Sequence, residues 1–352
     1  MLKTIQKWID SYFAEEETII LVLLLSAFLL LMFFFGSELA PVIISIIIAY
    51  LLQGLVAFFS RWCCHRWAVT ITFVIFMGVA ATILLLAVPI IGRQLQALAF
   101  ELPKILNKLH LFVKQLNLQY PDAYATFEVE QLMSHGIQKA AGLGQTALST
   151  SIETIPNVLA LTIYIVLIPI LVFFFLKDKT KILAWLGQFL PSKRPFMQSV
   201  WQEMNVQVAN YARGKAVEVF IVAGVTIFSF AVMNQNYAVL LGVLVGLSVV
   251  VPYIGAVIVT IPVALVAFFQ WGWSENFFYV FGVYLFIQFL DGNVLVPLLF
   301  SEAVDLHPVA IIIAVLIFGG AWGFWGVFFA IPLATLIKAL IEAWPTKEQI
   351  QQ

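Results

Sequence analysis

Between Ala216 and Ile337 the chain carries no lysine or arginine, yet it holds five carboxylates: Glu218, Glu275, Asp291, Glu302 and Asp305. The stretch is apolar and is cut repeatedly by proline and glycine. The cuts fall at Pro252-Tyr253-Ile254-Gly255, at Asp291-Gly292-Asn293 leading to Pro297, and at Gly319-Gly320-Ala321-Trp322-Gly323. Apolar segments of this kind belong in lipid, where freed peptide groups find no hydrogen-bond partner and a charge finds no solvation. Broken backbone and acids together therefore call for a polar interior in which something polar is handled. The competing reading is that these glycines and prolines only kink and pack ordinary membrane helices, where both residues are common.

Hydrophobic residues make up 62% of the chain and charged residues 11%, against about 45–50% and about 25% in an average soluble domain. Most of the surface must face lipid, which makes this an all-α, polytopic integral membrane protein with the lipid bilayer as its first partner. The basic residues cluster in a few loops and set topology, so nucleic acid is not a partner. Cys63 and Cys64 are adjacent and poorly placed to bridge each other. With His65 they sit in a basic loop without a second ligand pair, so no metal site is expected.

About eight hydrophobic segments follow in order. Ile5, Trp8, Ile9, Tyr12 and Phe13 have the spacing of an interfacial amphipathic helix. The runs 18–35, 39–59 and 68–91 approach or exceed the roughly 20 residues of a spanning helix. Residues 92–154 are polar and balanced in charge, which fits the extracytoplasmic side. Within them Leu95, Leu98, Leu102, Ile105, Leu109, Phe112 and Leu116 alternate spacings of three and four, a seam that serves either self-association or packing on the protein's own membrane domain. A fourth span covers 155–176. The lysines and arginines that follow it mark a cytoplasmic segment, with an interfacial helix expected over 196–211.

After a span at 216–233, residues 237–270 read as two short halves of a broken or re-entrant hairpin. A crossing at 277–300 and a second broken hairpin at 309–341 repeat the pattern. Gly242/Gly246 and Gly319/Gly323 allow close helix contact. Paired interrupted segments point to a transporter site. The chain thus divides into 1–91 (interfacial helix and three spans), 92–154 (helical extracytoplasmic region), 155–215 (fourth span and cytoplasmic segment), 216–341 (transport core) and 342–352 (cytoplasmic tail). Both termini are expected in the cytoplasm.

Asp291 is the leading candidate for a central carboxylate, with Gln288 and Asn293 as nearby amides; the competing reading is an interfacial turn at which Asp291 only caps a helix. Pro252, Gly255 and Pro297 mark broken backbone along a pathway. Arg213 reads either as a snorkelling anchor at the inner leaflet or, with Lys215 as the other candidate, as the partner of Glu218 at the membrane edge. His307, between Leu306 and Pro308, reads as a loop residue that hydrogen-bonds backbone. No catalytic residue is expected: Asp305-Leu306-His307 lacks a nucleophile elbow or partner acid, and no phosphate-binding loop is present. An oligomeric channel is the alternative to a carrier.

Arg213-Gly214, Pro252-Tyr253-Ile254-Gly255, Pro262, Asp291 with Asn293 and Pro297, Leu306-His307-Pro308, the cluster from Gly319 to Gly326, and Pro332 together resemble the autoinducer-2 exporter family of permeases. Gly292, between Asp291 and Asn293, departs from the family's common adjacent acid and amide. The resemblance covers nearly the whole chain. It implies a homo-oligomeric transporter of the bacterial plasma membrane that exports a small polar molecule such as autoinducer-2 or exchanges cations and protons, without a cofactor.

Overall fold

A computed structural model describes residues 16–119, 155–191, 194–300 and 306–343. These residues form helices and the turns between them, the all-α arrangement of a multi-pass membrane protein. Helix α1 (Glu16–Phe59) is interrupted at Phe35, whose φ of −124° and ψ of 18° leave the helical region and separate two apolar stretches. Helix α2 (His65–Thr82) passes through a wide π turn at Ile83–Ala87 into α3 (Val88–Gln119). The third apolar segment and the first part of the polar region are thus one continuous helical run.

Helix α4 (Ile155–Lys177) lies against α1 and is followed by the short α5 (Lys179–Gly187). Between them Asp178 accepts an ion pair from Lys181 at 2.9 Å, which holds its carboxyl below the usual range. Helix α6 (Pro195–Val232) joins the expected interfacial segment and the next span without a break. Arg213-Gly214-Lys215 is no helix end. Gly214 serves instead to admit the Phe300 ring, which comes within 2.6 Å of where a Cβ would stand.

The first hairpin consists of α7 (Ala238–Ser248) and α8 (Ile254–Trp271). Their 11 and 18 residues give lengths of about 16 and 27 Å; the first falls well short of the roughly 30 Å of a hydrocarbon core, and the second sits at the lower limit of a spanning helix. Its two open ends lie together. Gln270 takes the Asn236 N–H at 2.6 Å and donates to the Asn234 carbonyl at 2.7 Å, and the Trp271 indole donates to Gln235 at 3.3 Å. The segment therefore enters and returns at the same end of the bundle, with its tip at residues 249–253. Helix α7 sits close on α6 because Gly242 and Gly246 lack side chains: a methyl on Gly246 would lie 2.5 Å from the Ala223 Cβ.

Helix α9 (Glu275–Leu290) leads into a second π turn at Asp291–Leu295 and the short α10 (Val296–Phe300). The second hairpin, α11 (Pro308–Trp322) and α12 (Phe324–Ala343), turns at Gly323 with φ +60°. It closes tightly because Gly326 faces the Phe318 carbonyl and Gly319 faces Val327. The main core gathers Phe230, Leu241, Val245, Val263, Val280 and Tyr284 from α6 to α9, with Leu98 of α3 packed on its edge. A second core joins α1, α2 and α4 through Ala49, Ala68, Val69 and Val172. Many remaining large apolar side chains, Phe220, Phe228 and Ile258 among them, are exposed as a lipid-facing surface requires.

Candidate functional site

The tip of the first hairpin is an irregular piece of backbone. Tyr253 has φ +61° and ψ −52°, and the Ile254 N–H donates to the Pro252 carbonyl at 2.6 Å, so Tyr253 is the centre of a γ-turn in the strained left-handed half of conformational space. Gly255 follows because α8 must return past the end of α7. A Cβ there would run into the Ser248 carbonyl oxygen. Proline at 252 cannot continue α7, and the turn leaves the carbonyl of Val249 without a helical partner.

That carbonyl is taken by Lys215. The ammonium donates to Val249 O at 2.8 Å, pairs with Glu218 at 2.8 Å one turn along α6, and stands 5.2 Å from the centre of the Phe300 ring. Lys215 is 8% exposed and Glu218 1%. Across from them the π turn brings Asp291 to the same space, and its Oδ1 is buried with no hydrogen-bond partner among the described residues. A π turn carries one residue more per turn than an α-helix, and such insertions recur at functional sites.

These groups line one cavity of about 410 Å³, together with Tyr211, Val251, Pro252, Tyr253, Gln288 and Pro297. Measured along α6, Lys215 lies about 25 Å from the helix end at Val232, at the start of the apolar stretch that follows Arg213-Gly214-Lys215. Its lining brings together two carboxylates and one ammonium. With all three ionised the set is one negative charge in excess, which a single proton or monovalent cation balances.

The structure gathers Asp291, Gln288, Pro252, Pro297 and Glu218 around this cavity. Gly255 is buried just behind its wall and serves the close return of α8. Asn293 is exposed and donates to the Phe289 carbonyl at 2.9 Å, one turn back along α9. Arg213 is exposed on α6 outside the lining, so of the two cations considered for Glu218 it is Lys215 that pairs. His307 is exposed and caps α11, its Nδ1 accepting the Val309 N–H at 3.3 Å. Sequence reasoning left out Tyr211, Tyr284 and Thr260. Tyr211 reads as a headgroup-level residue of the interfacial helix, and Tyr284 and Thr260 lie in segments whose aromatic and β-branched residues read as lipid contact or packing.

A model of the AI-2E family transporters matches residues 19–346. The chain is 44% identical over 353 aligned positions to PerM of Escherichia coli (strain K12), named as a candidate permease, with all of both chains covered. It is 28% identical to YrrI of Bacillus subtilis (strain 168), named as a candidate transport protein, over 86% of this chain and 85% of that one. Against the AI-2 transport protein TqsA of Escherichia coli (strain K12) the identity is 25%, over 86% of this chain and 85% of the relative. With a family match from near one end to near the other, and apolar helices long enough to cross a membrane, this chain belongs to the AI-2E family of membrane transport permeases.

Proposed function

We propose that the protein is a secondary transporter whose substrate site is the cavity between the hairpin tip, α6 and the π turn at Asp291, and that it exports a small polar molecule of the autoinducer-2 type or exchanges cations against protons. One observation carries this reading: Asp291, one carboxylate oxygen of which is buried without a hydrogen-bond partner among the described residues, lines a cavity beside a Lys215–Glu218 pair that already engages the ammonium in that lining. A group in that setting has to be met by a proton, a cation or a hydrogen-bond donor of a solute. The name of TqsA supports AI-2 as one solute to test.

The bacterial inner membrane is the proposed location, with both termini in the cytoplasm and the region around residue 117 outside. A homo-oligomer is proposed as well. Exposed Phe100 and Leu111 lie three turns apart on one side of α3 and offer an apolar face for a second copy, whereas Leu98 and Ile105 of the seam are turned into the protomer. The division into a membrane N-terminal part, the insertion and the transport core 216–341 follows the same reading; the second half of the insertion lies outside the described residues.

The test is flux in proteoliposomes. Solute uptake that saturates and is accelerated by a counter-gradient supports a carrier. Large unitary conductance in planar bilayers, without saturation, would instead identify a channel.

A further inference from the structure

The cavity wall continues inward as a chain of hydroxyls. Thr260 Oγ1 of α8 lies 2.7 Å from the Ala256 carbonyl and 2.7 Å from the Tyr284 hydroxyl, which is itself 3.3 Å from that carbonyl. Gln288 Nε2 stands 3.2 Å from the Tyr284 oxygen, one turn away on α9. Tyr284 is wholly buried.

The direction of this chain follows from what each group can give. The Ala256 carbonyl only accepts, and a hydroxyl has one proton. At 2.7 Å the Thr260 proton belongs on that carbonyl, so Tyr284 donates to Thr260 and its oxygen is left to accept from Gln288. If Tyr284 donates to the Ala256 carbonyl instead, its single proton is again spent on α8. In both arrangements the Gln288 amide nitrogen is drawn inward, and Oε1 is the group that Gln288 offers to the cavity it lines. The polar lining then sets three acceptors, the Gln288 carbonyl with the Glu218 and Asp291 carboxylates, beside Tyr211 and Tyr253, whose phenols can each give one proton, so acceptor positions outnumber donors. Its ammonium, Lys215, is engaged by Val249 O and Glu218.

We propose that Thr260 and Tyr284 position Gln288 as a hydrogen-bond acceptor, and that this makes the cavity select solutes rich in donors, polyhydroxylated or ammonium-bearing, over acceptor-only solutes of similar frame. The inference rests on the cavity being the substrate site. Tyr284 and Thr260 are positioning residues, acting through Gln288.

The test uses the full-length protein in detergent and two matched probe pairs, methylammonium against tetramethylammonium and erythritol against its tetra-O-methyl ether. The half-maximal concentration for thermal stabilisation is read for each. In the wild type the donor-bearing member of a pair acts at about ten-fold lower concentration, the effect of one or two hydrogen bonds. Tyr284→Phe, Thr260→Val and Gln288→Leu bring the ratio toward one. Gln288→Glu, which keeps an acceptor at the position, retains it, and Thr260→Ser controls for packing. Equal concentrations in the wild type, no stabilisation by either donor-bearing probe, or an unchanged ratio in all three disrupting variants overturns the proposal. Flux separates it from the underlying reading: if Asp291→Asn transports normally the site itself is misplaced, whereas lost flux with an unchanged ratio in Tyr284→Phe removes the Gln288 assignment alone.

Discussion

Lys215 and Glu218 stand one turn apart on α6 with ammonium and carboxylate 2.8 Å from each other, both nearly closed off from the surface of the protein. A pair in this position makes a lopsided contribution to stability. Removing one partner strands a buried charge and costs roughly 3–5 kcal/mol, while replacing both with apolar side chains is often close to neutral. Lys215→Met is therefore expected to lower the melting temperature in detergent sharply, and Lys215→Met with Glu218→Leu to recover most of the loss. Equal melting temperatures for the single and the double variant would mean that the pair is solvated rather than buried.

The hairpin tip gives a second expectation. Gly255 has no room for a methyl, because the Ser248 backbone oxygen occupies that place, whereas Gly292 faces open space. Gly255→Ala should cost about 1–3 kcal/mol from overpacking and reduce flux together with stability. Gly292→Ala should fold like the wild type. Thermal unfolding of the two variants side by side checks this, and a well-folded Gly255→Ala would show that α8 can move away from α7.

The contact between α3 and the start of α7 is expected to weaken at high pH. Tyr237 donates to Glu101 at 2.7 Å, next to the Gln94 side chain that accepts the Leu240 N–H at 2.8 Å. Burial, and then the hydrogen bond to Glu101, push the Tyr237 phenol up to about 12, above the roughly 10 of an unfolded tyrosine. Between those values the folded state holds the proton that the unfolded state releases. The contribution is complete below about pH 10 and declines as pH rises toward about 12. Tyr237→Phe should flatten the fall of melting temperature over that window, and an identical slope in both proteins would assign the fall to other groups.

Much of this architecture is legible in the amino-acid sequence, for reasons that can be named. Proline and glycine at 252, 255, 319 and 323 mark the two hairpin tips because they fall in clusters inside apolar runs rather than singly, and Asp291 is conspicuous because acids are rare in apolar runs. The burial of Lys215 is not legible. Arg213-Gly214-Lys215 has the composition of a membrane edge, and only the continuation of α6 from Pro195 through Val232 carries the lysine into the bundle. The π turn is equally hidden, since one extra residue in a helical turn leaves no compositional mark. Tyr284 and Thr260 look like any other aromatic and β-branched residue in membrane helices. Their role follows from distances, which periodicity does not encode.

The most direct measurement is solute flux in proteoliposomes as a function of pH for the wild type and for Asp291→Asn, a substitution that keeps the shape of the side chain and removes its charge. If the Asp291 carboxylate, which lines the cavity with Lys215 and Glu218, is the group met by a proton, cation or solute donor, the variant folds normally but its flux falls about ten-fold or more, a loss of roughly 1.4 kcal/mol of transition-state stabilisation, and what remains no longer varies with pH. Wild-type flux with wild-type pH dependence in Asp291→Asn would contradict that assignment and leave Asp291 as a helix-end residue.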